Sequence, residues 1–423
     1  MHVTSPLHTL MFILLLHLLK NYEGFVRFFH HHAFLSIVIE CTCYESIRTE
    51  KGDTPTMKSI LEYARNEQRT FDEFPFNAID ALIYAEATYF QWEYLLPNIW
   101  TQEWPYRLSD SMFLHEMPRT DEMPLFGQYA ADTSKNMKLI DTLRLSRRFR
   151  NVSVSHLCAH TKASEEIQFA AVCFHMPDNI CYVAFRGTDG TLIGWKEDFQ
   201  LAYKYPIPSQ EQASRYLNYL AQEMAPSTRF YIGGHSKGGN LSIYAATECK
   251  DSIKERILGV YSFDGPGFSF NLSETEAYKA IADRVYHLVP SASFVGMLLQ
   301  SAPGTRFIAN HALWLTQHSP FTWEVGTDDF DYVPEWNRSA QTRIAAVNQW
   351  LDSINYEERE AFVEMLYRIA TSSGANNLFS PEDSWATRVG YIVDATRSMD
   401  GQSRARINET IKLLVLLTLR MRH

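Results

Sequence analysis

The chain has no excess of basic residues. Its 423 residues include 39 Lys and Arg against 49 Asp and Glu, which gives a formal net charge of −10 at pH 7. Proteins that bind the phosphate backbone normally present a basic surface, so this balance gives no electrostatic reason to expect a nucleic-acid partner. An acidic balance is compatible with neutral or amphiphilic substrates, but it does not by itself select them.

Cysteine is scarce, and no two cysteines form a C-x-x-C pair. The six cysteines are Cys41, Cys43, Cys158, Cys173, Cys181 and Cys249. Cys173 and Cys181 lie in segments predicted to be buried strands, where a free cysteine behaves as a small hydrophobe. We therefore expect a reducing, cytoplasmic location, no disulfide framework and no metal ion. Residues 187–190 are too short for a phosphate-binding loop of the Walker type, and no cofactor is expected.

The N-terminus lacks an apolar run long enough to span a bilayer. The run at residues 10–19 is too short, and it has neither the basic flank nor the small-residue cleavage site of a signal peptide. A second apolar stretch, residues 25–39, is interrupted by Arg27 and by three histidines that begin at His30. We interpret these histidines as a chance polar patch rather than a metal site.

Composition changes at residues 50–55, and we divide the chain there. Residues 1–56 are interpreted as an N-terminal extension. It is either the product of a reading frame that begins upstream of Met57 or a segment that associates weakly with membranes. Residues 57–400 are predicted to form the main domain, since a hydrophobic content of 46% supports a substantial core. Residues 401–423 are predicted to form a helix that packs on this domain.

Strand and helix patterns alternate along the main domain. Strands are predicted at residues 168–176, 180–185, 229–232, 257–263 and 284–289, and helices at 77–89, 209–224, 241–246 and 273–282. A short P-D-N turn joins the first two strands into a hairpin, and Asn77 is the predicted N-cap of the first helix. The alternation predicts an α/β fold with a mostly parallel central sheet and helices on both faces. From residue 338 onward the pattern is helical.

The most informative segment is the pattern G-x-S-x-G at residues 234–238. A predicted strand ends before it and a predicted helix begins after it, which is the setting of a nucleophile elbow. A serine on such a turn projects its hydroxyl from the sheet, and the flanking glycines let the strand and the helix approach closely. We therefore predict that Ser236 is a nucleophile. A glycine-rich structural turn is the alternative.

A serine nucleophile needs hydrogen-bond donors for the oxyanion that develops during acyl transfer. One donor is normally the backbone N–H of the next residue, here Lys237. The other comes from an earlier strand-to-helix loop, and the segment F-R-G-T-D-G at residues 185–190 follows a predicted strand. We predict the backbone N–H of Thr188 or Asp189 as this second donor. The alternative is an ordinary glycine turn with an Arg–Asp surface pair.

The segment F-R-G-T-D followed by G-H-S-K-G-G-N-L resembles class 3 lipases, in which F-R-G-T and G-H-S-L-G-G occur in the same order. The closer resemblance is to a bacterial branch of lipase-like α/β-hydrolases, the Mbeg-like proteins of unknown function. Further segments that fit this branch are residues 74–82, 194–199, 262–268, 295–299 and 317–323. The resemblance implies an α/β-hydrolase fold and hydrolase ancestry, but it does not supply a substrate.

The general base follows the serine if the residues occur in the order Ser, Asp, His. His318 follows a loop, precedes Pro320 and lies in the resembling segment Q-H-S-P-F-T-W, so it is the predicted base. His311 is the second candidate. His287 lies within a predicted strand, where a histidine of the core is expected.

The sequence leaves the orienting acid open. In class 3 lipases it follows the second strand after the elbow helix, and here that place, residues 288–293, contains no carboxylate. Asp264 ends the strand directly after the elbow helix and is the best substitute, although an aspartate in F-D-G-P-G also fits a local turn cap. The lesser candidates are Asp328, Asp329 and Asp331. A Ser–His dyad helped by Ser291 or Ser293 is a further alternative.

Lys237 would occupy the first turn of the elbow helix, where a cation opposes the helix macrodipole by about 0.3–1 kcal/mol. We expect either that its side chain extends into water or that an acidic group compensates for it. The candidates for that group are Asp189, Asp264 and an anionic group of a substrate.

Together these patterns predict a serine hydrolase that cleaves carboxylic esters, and the apolar residues 294–299 suggest acyl lipids. The same residues would serve a thioester or an amide. The competing hypothesis is a binding or scaffold protein on a decayed hydrolase fold, motivated by the acid missing from its expected place. The expected partner is a small-molecule or lipid ester, and the sequence predicts no oligomeric state.

Overall fold

The computed structural model describes residues 59–101, 110–127, 132–189, 191–312 and 314–371. The predicted extension at residues 1–56 and the predicted helix at 401–423 lie outside the described residues, and the division of the chain into these segments and a main domain stays a prediction. Within the described ranges, no helix is both long and apolar enough to cross a membrane.

Nine strands form one sheet in the part of the chain that the structure describes. In chain order, which is also their order across the sheet, they are β1 (Met112–Phe113), β2 (Ser153–Lys162), β3 (Ile167–Met176), β4 (Ile180–Phe185), β5 (Arg229–His235), β6 (Ile257–Phe263), β7 (Val285–Pro290), β8 (Arg306–Ile308) and β9 (Tyr332–Val333). Strands β4 to β8 are parallel to one another. The pairs from β1 to β4, and β8 with β9, are antiparallel. The mostly parallel sheet predicted from the sequence is thus found at the centre, whereas the whole sheet is mixed.

Short connections account for the larger antiparallel edge. Residues 177–179 join β3 to β4 in the predicted hairpin, and residues 163–166 join β2 to β3. Connections of this length can join only antiparallel neighbours, because a parallel pair needs a crossover of a dozen or more residues. The alternation of strands and helices that predicted a parallel sheet begins only after β4.

The α-helices of the described residues lie before, between and after these strands. They are α1 (Ile60–Asn66), α2 (Ala78–Ala87), α3 (Thr133–Leu145), α4 (Leu192–Gln200), α5 (Pro208–Glu223), α6 (Lys237–Glu248), α7 (Asp251–Lys254), α8 (Glu276–Lys279), α9 (Arg338–Ser353) and α10 (Tyr356–Thr371). Asn77 is the N-cap of α2, as predicted, and its side chain accepts the N–H groups of Ile79 and Asp80 at 2.9 and 3.1 Å. Helices α9 and α10 occupy the region predicted to be helical.

Helices cover both faces of the sheet. Crossovers between neighbouring parallel strands are almost always right-handed, so consecutive crossovers in one direction place their helices on one face. On that face, α5, α6 and α8 bury apolar side chains against Phe169, Phe185 and Ile232. Helices α2 and α3 cover the opposite face, where the ring of Tyr84 stacks on Phe174 with centroids 4.6 Å apart. The carboxyl ends of the parallel strands are therefore held between two apolar layers.

Candidate active site

Ser236 lies on the sharp turn between β5 and α6. Its backbone has φ 59° and ψ −132°, and a residue other than glycine in such a region costs about 1–3 kcal/mol. The Ser236 N–H donates to the carbonyl oxygen of Phe263 at the end of β6, at 2.9 Å, and the residue is half-buried. Strain of this kind is typical of a nucleophile elbow, which presents a serine at the carboxyl end of a sheet.

The glycines on either side of Ser236 are required by close packing. A Cβ atom on Gly238 would lie 2.1 Å from the carbonyl oxygen of Phe185, the last residue of β4. A Cβ atom on Gly234 would lie 2.5 Å from the carbonyl oxygen of Gly238. Both distances are shorter than any real Cβ contact, so a larger residue at either place would separate α6 from the strands. The structure thus has the strand–turn–helix packing that the motif predicts.

His318 and Asp264 form a close pair beside this turn. The Nδ1 atom of His318 lies 2.6 Å from Oδ2 of Asp264. The carboxylate is fully buried, while 26% of the His318 side chain is exposed. Asp264 directly follows Phe263, which pairs with His235 across β5 and β6. The structure therefore brings the predicted base and the predicted acid together at the edge of the sheet where Ser236 lies.

This contact determines which nitrogen of His318 carries the proton. An ionised carboxylate can only accept hydrogen bonds, so the Nδ1–H group donates to Asp264. The Nε2 atom of the neutral ring is then left with a lone pair that can take a proton. This is the tautomer that a general base for a serine hydroxyl requires.

Asp264 is held by two further donors. The hydroxyl of Ser293 donates to Oδ2 at 2.6 Å, and the backbone N–H of Gly296 donates to Oδ1 at 2.9 Å. Both carboxylate oxygens therefore bind groups far along the chain, instead of capping the local F-D-G-P-G turn. Ser293, which the sequence suggested as a helper of a Ser–His dyad, contacts the acid.

The segment that carries His318 is fixed by its neighbour Gln317. The Gln317 side chain accepts the N–H of Ala292 at 2.9 Å and donates to the carbonyl oxygen of Ala312 at 2.7 Å. The indole N–H of Trp323 donates to the Gln317 carbonyl oxygen at 2.9 Å. The resembling segment Q-H-S-P-F-T-W thus contains both the candidate base and the residues that position it.

His235 connects the elbow to the candidate base. Its Nε2–H donates to the carbonyl oxygen of His318 at 2.8 Å, and the two rings lie 4.4 Å apart. Burial, and to a lesser extent His318, hold the pKa of His235 well below its usual range, so the ring is neutral. Its Nδ1 then accepts from the hydroxyl of Tyr89, 3.4 Å away. No sequence pattern predicted a role for His235, although it directly precedes the nucleophile candidate.

The loop after β4 passes close to Ser236. A Cβ atom on Gly187 would lie 3.2 Å from the Cβ of Ser236 and 2.6 Å from the carbonyl oxygen of His235. The hydroxyl of Thr188 lies 2.6 Å from both carboxylate oxygens of Asp198 in α4, which anchors the loop. The segment predicted to supply the second oxyanion donor is therefore next to the predicted nucleophile.

A family model matches residues 143–368, which is more than half of the chain and contains the elbow, the loop after β4, Asp264 and His318. The chain belongs to the Mbeg1-like family. The resemblance drawn from the sequence is thereby confirmed.

Two solved structures similar to this Mbeg1-like protein are lipases. The crystal structure of M37 lipase is 15% identical in sequence, with 51% of this chain and 68% of the lipase chain covered and a TM-score of 0.33. The native propeptide complex of Rhizomucor miehei lipase is 14% identical, with 66% and 83% covered and a TM-score of 0.30. No curated protein matches the chain.

The other histidines considered as a base lie in different surroundings. In this Mbeg1-like protein His287 is buried in β7, with its ring nitrogens bonded to the hydroxyl of Thr305 at 2.8 Å and the carbonyl oxygen of Gly265 at 3.0 Å. His311 is exposed and pairs with Glu324 at 2.8 Å. These contacts leave His318 as the candidate base that contacts a buried carboxylate.

The lesser candidates for the acid lie at the protein surface. Asp328 pairs with Arg69 at 3.2 Å, and Asp329 pairs with Arg306 at 3.4 Å. Asp331 is exposed and directly precedes β9. Asp264 is thus the candidate that meets the imidazole.

The Lys237 side chain does not extend into water, and an acidic group compensates for it, as the second expectation held. It is completely buried, and its ammonium group lies 2.7 Å from Oε2 of Glu197, which is also completely buried. The ammonium also donates to the side-chain and backbone oxygens of Gln168, each at 2.8 Å. The compensating acid is therefore Glu197 of α4, and neither Asp189 nor Asp264 was the right expectation. The sequence shows a cation in the first turn of a helix, which indicates that an acid could compensate for it. That acid is 40 residues away in the chain.

Removing this buried cation should destabilise the fold strongly. We expect Lys237→Met to lower the free energy of unfolding by about 3–5 kcal/mol, because Glu197 would remain buried without its partner. Urea denaturation with an unchanged m value measures this loss. Lys237→Met combined with Glu197→Gln should recover part of it, and Lys254→Met, whose partner Asp251 is exposed, should lose far less. A loss below about 1 kcal/mol in Lys237→Met would contradict the role of this pair.

Proposed function

We propose that this Mbeg1-like protein is a serine hydrolase with an α/β-hydrolase fold, in which Ser236, His318 and Asp264 form the catalytic triad. The observation that supports this best is the 2.6 Å contact between the His318 ring and the buried Asp264 carboxylate, next to the strained turn of Ser236. A serine hydroxyl is a weak nucleophile at neutral pH and needs such an oriented base.

In the proposed reaction, the Ser236 oxygen attacks the carbonyl carbon of an ester while Nε2 of His318 takes the hydroxyl proton. The backbone N–H groups of Lys237 and Thr188 donate to the oxyanion of the tetrahedral intermediate. The intermediate then releases the alcohol, which receives the proton from His318, and leaves an acyl-serine. A water molecule, deprotonated by His318, cleaves this ester and releases the acid. Asp264 keeps the His318 ring in its productive orientation throughout.

Carboxylic esters are the proposed substrates, and acyl lipids are the proposed class among them. Apolar side chains near the acid support this choice, since Phe294 and Met297 follow Ser293 and pack beside Trp336. A thioester or amide bond would use the same residues, so the leaving group has to be determined with substrates. The hypothesis of a non-catalytic scaffold rested on the acid missing from its expected place. The contact between Asp264 and His318 weakens that hypothesis.

Covalent labelling tests the proposal directly. A fluorophosphonate probe should modify one serine of the native protein, because an activated hydroxyl displaces fluoride from phosphorus and forms a stable phosphonyl ester. Mass spectrometry of the digested protein should locate the adduct on Ser236. Ser236→Ala should not be labelled, whereas Ser273→Ala, which changes a serine that bonds to Asn271 in an exposed segment, should be labelled like the wild type. If the folded wild type is neither labelled nor active on nitrophenyl esters of short and long acyl chains, the scaffold hypothesis is favoured.

A further inference from the structure

Three side chains with strong affinity for metals converge on the hairpin of β3 and β4. Cys173 and His175 lie on β3, and Cys181 lies on β4 directly opposite His175. Residues two apart on a strand face the same side of the sheet, so all three share one face. Their ligand atoms lie within 4.8 Å of one another. The two cysteines are buried, at 0% and 3% exposure, and His175 is half-buried.

We propose that Cys173, His175 and Cys181 bind one Zn²⁺ ion. Thiolate sulfur and imidazole nitrogen are the preferred ligands of structural zinc, at about 2.3 and 2.0–2.1 Å. In a tetrahedral site a sulfur and a nitrogen are then roughly 3.5 Å apart, and two sulfurs about 3.8 Å. The Cys181 sulfur lies 3.4 Å from Nδ1 of His175, which already matches this geometry. Closing the site requires the remaining donor, Cys173, to move by about 1.3 Å at most, since the ligand atoms lie within 4.8 Å of one another.

The other side of the His175 ring has the support that metal-binding histidines need. Its Nε2 forms a hydrogen bond with the hydroxyl of Ser155, and this hydroxyl also contacts Nδ1 of His156. The hydroxyl has a single proton. When Ser155 donates it to His156, it accepts from the Nε2–H of His175, and Nδ1 keeps a lone pair for the metal. A hydrogen bond from the second ring nitrogen is the usual way in which proteins orient a histidine ligand.

Charge and burial favour zinc over a monovalent soft cation. Two thiolates and one neutral imidazole balance the charge of Zn²⁺, whereas Cu⁺ would leave one net negative charge. An uncompensated charge is costly in a buried site, and Cys173 and Cys181 belong to an apolar cluster between α5 and the sheet. The sulfur of Met224 lies 3.6 Å from that of Cys181 and borders the site on the side of α5.

The ion would have a structural role that is independent of the proposed hydrolase activity. Cys181 is near the start of β4 and Phe185 is at its end beside the candidate active site. Four residue steps along the strand separate them by roughly 13 Å. Zinc would fasten the two strands of the hairpin that begins the parallel part of the sheet. This proposal departs from the sequence interpretation of Cys173 and Cys181 as small hydrophobes and from its expectation of no metal.

Titration of the reduced, metal-free, full-length protein with Co²⁺ tests the site. We expect one equivalent of Co²⁺ to bind, with thiolate-to-metal charge-transfer absorption in the near ultraviolet, and one equivalent of Zn²⁺ to abolish that absorption. Ser155→Ala should weaken Zn²⁺ binding by about 10–100-fold, as expected for loss of a group that orients a ligand. Cys181→Ser should weaken it by more than that, since it removes a ligand. Zn²⁺ should also raise the melting temperature of the wild type.

Three variants serve as controls for other thiols. Cys158→Ser and Cys249→Ser change buried cysteines outside the cluster, and Cys41→Ser with Cys43→Ser removes the N-terminal pair. All three should keep the wild-type absorption and affinity.

The proposal fails if the folded wild type binds neither ion, if it binds Cu⁺ but not Zn²⁺, or if a control variant abolishes binding. If Cys181→Ser does not fold, the wild-type titration and Ser155→Ala still decide the outcome. Labelling of Ser236 by a fluorophosphonate should persist in the metal-free protein, so a failure here is distinct from a failure of the proposed function.

Discussion

Replacing Ser236 with alanine is expected to lower kcat for hydrolysis of a nitrophenyl ester by about 10⁶-fold. The substitution removes the atom that would form the acyl intermediate, so His318 and Asp264 would have no nucleophile to activate. KM should change little, because the hydroxyl contributes mainly to the transition state. Steady-state kinetics on the purified variant measures both quantities, on the ester that the wild type cleaves fastest.

The Ser236→Ala comparison needs a matched serine and a check on contaminants. Ser273→Ala should keep the wild-type kcat, since Ser273 bonds to Asn271 in a surface segment. A residual rate in Ser236→Ala that a fluorophosphonate abolishes would come from a contaminating hydrolase. Equal kcat in Ser236→Ala and the wild type, with no probe-sensitive contaminant, would refute the proposed function. A loss smaller than about 10³-fold would indicate a nucleophile other than Ser236.

The features that were predictable from the sequence are local. The elbow depends on Gly234, Ser236 and Gly238, which lie within five residues, and the strand and helix around it have clear patterns. The hairpin of β3 and β4 depends on a three-residue turn. Each of these features is determined by neighbours in the chain, so a single sequence contains the required information.

The candidate acid and the partner of Lys237 were harder to predict because they depend on contacts between residues that are distant in the chain. Asp264 meets Ser293 and His318, which are 29 and 54 residues away, and Glu197 is 40 residues from Lys237. Sequence patterns show that Asp264 follows a strand, but they do not show which residues the other loops bring to it. From the sequence alone, a local turn cap and a catalytic acid therefore have equal support.

The proposed acid lies in a different place from the acid of the lipase pattern. The resemblance to class 3 lipases places the acid after β7, where residues 288–293 contain no carboxylate. Here Asp264 follows β6 instead, and the segment after β7 contributes Ser293, which donates to the Asp264 carboxylate. Strands β6 and β7 are parallel neighbours, so their carboxyl ends meet at one edge of the sheet. A carboxylate on either strand can therefore reach a histidine that packs over this edge.

Replacing Asp264 with asparagine is expected to lower kcat for ester hydrolysis by about 10⁴-fold. The backbone N–H of Gly296 donates to Oδ1, so the asparagine keeps its oxygen there and turns its NH₂ group toward His318. That group can only donate, so Nδ1 of His318 must lose its proton and Nε2 must carry it. The ring then cannot accept the proton of Ser236. The opposite orientation of the amide would let Nδ1 of His318 keep its proton. It would leave the buried Gly296 N–H without an acceptor, at a cost of about 1–3 kcal/mol.

Steady-state kinetics of Asp264→Asn should therefore be compared with two other variants. Asp328→Asn makes the same substitution at a lesser candidate for the acid, which pairs with Arg69 at the surface, and it should keep the wild-type kcat. Ser293→Ala removes a donor to Asp264 but preserves the charge of the carboxylate and the proton on Nδ1, so it should lose much less than Asp264→Asn. Wild-type kcat in a folded Asp264→Asn protein would assign the acid to another residue, or would mean that Ser236 and His318 act as a dyad. Fluorophosphonate labelling distinguishes inactivation from unfolding, because the asparagine variant should still react slowly at Ser236, whereas an unfolded protein should not react.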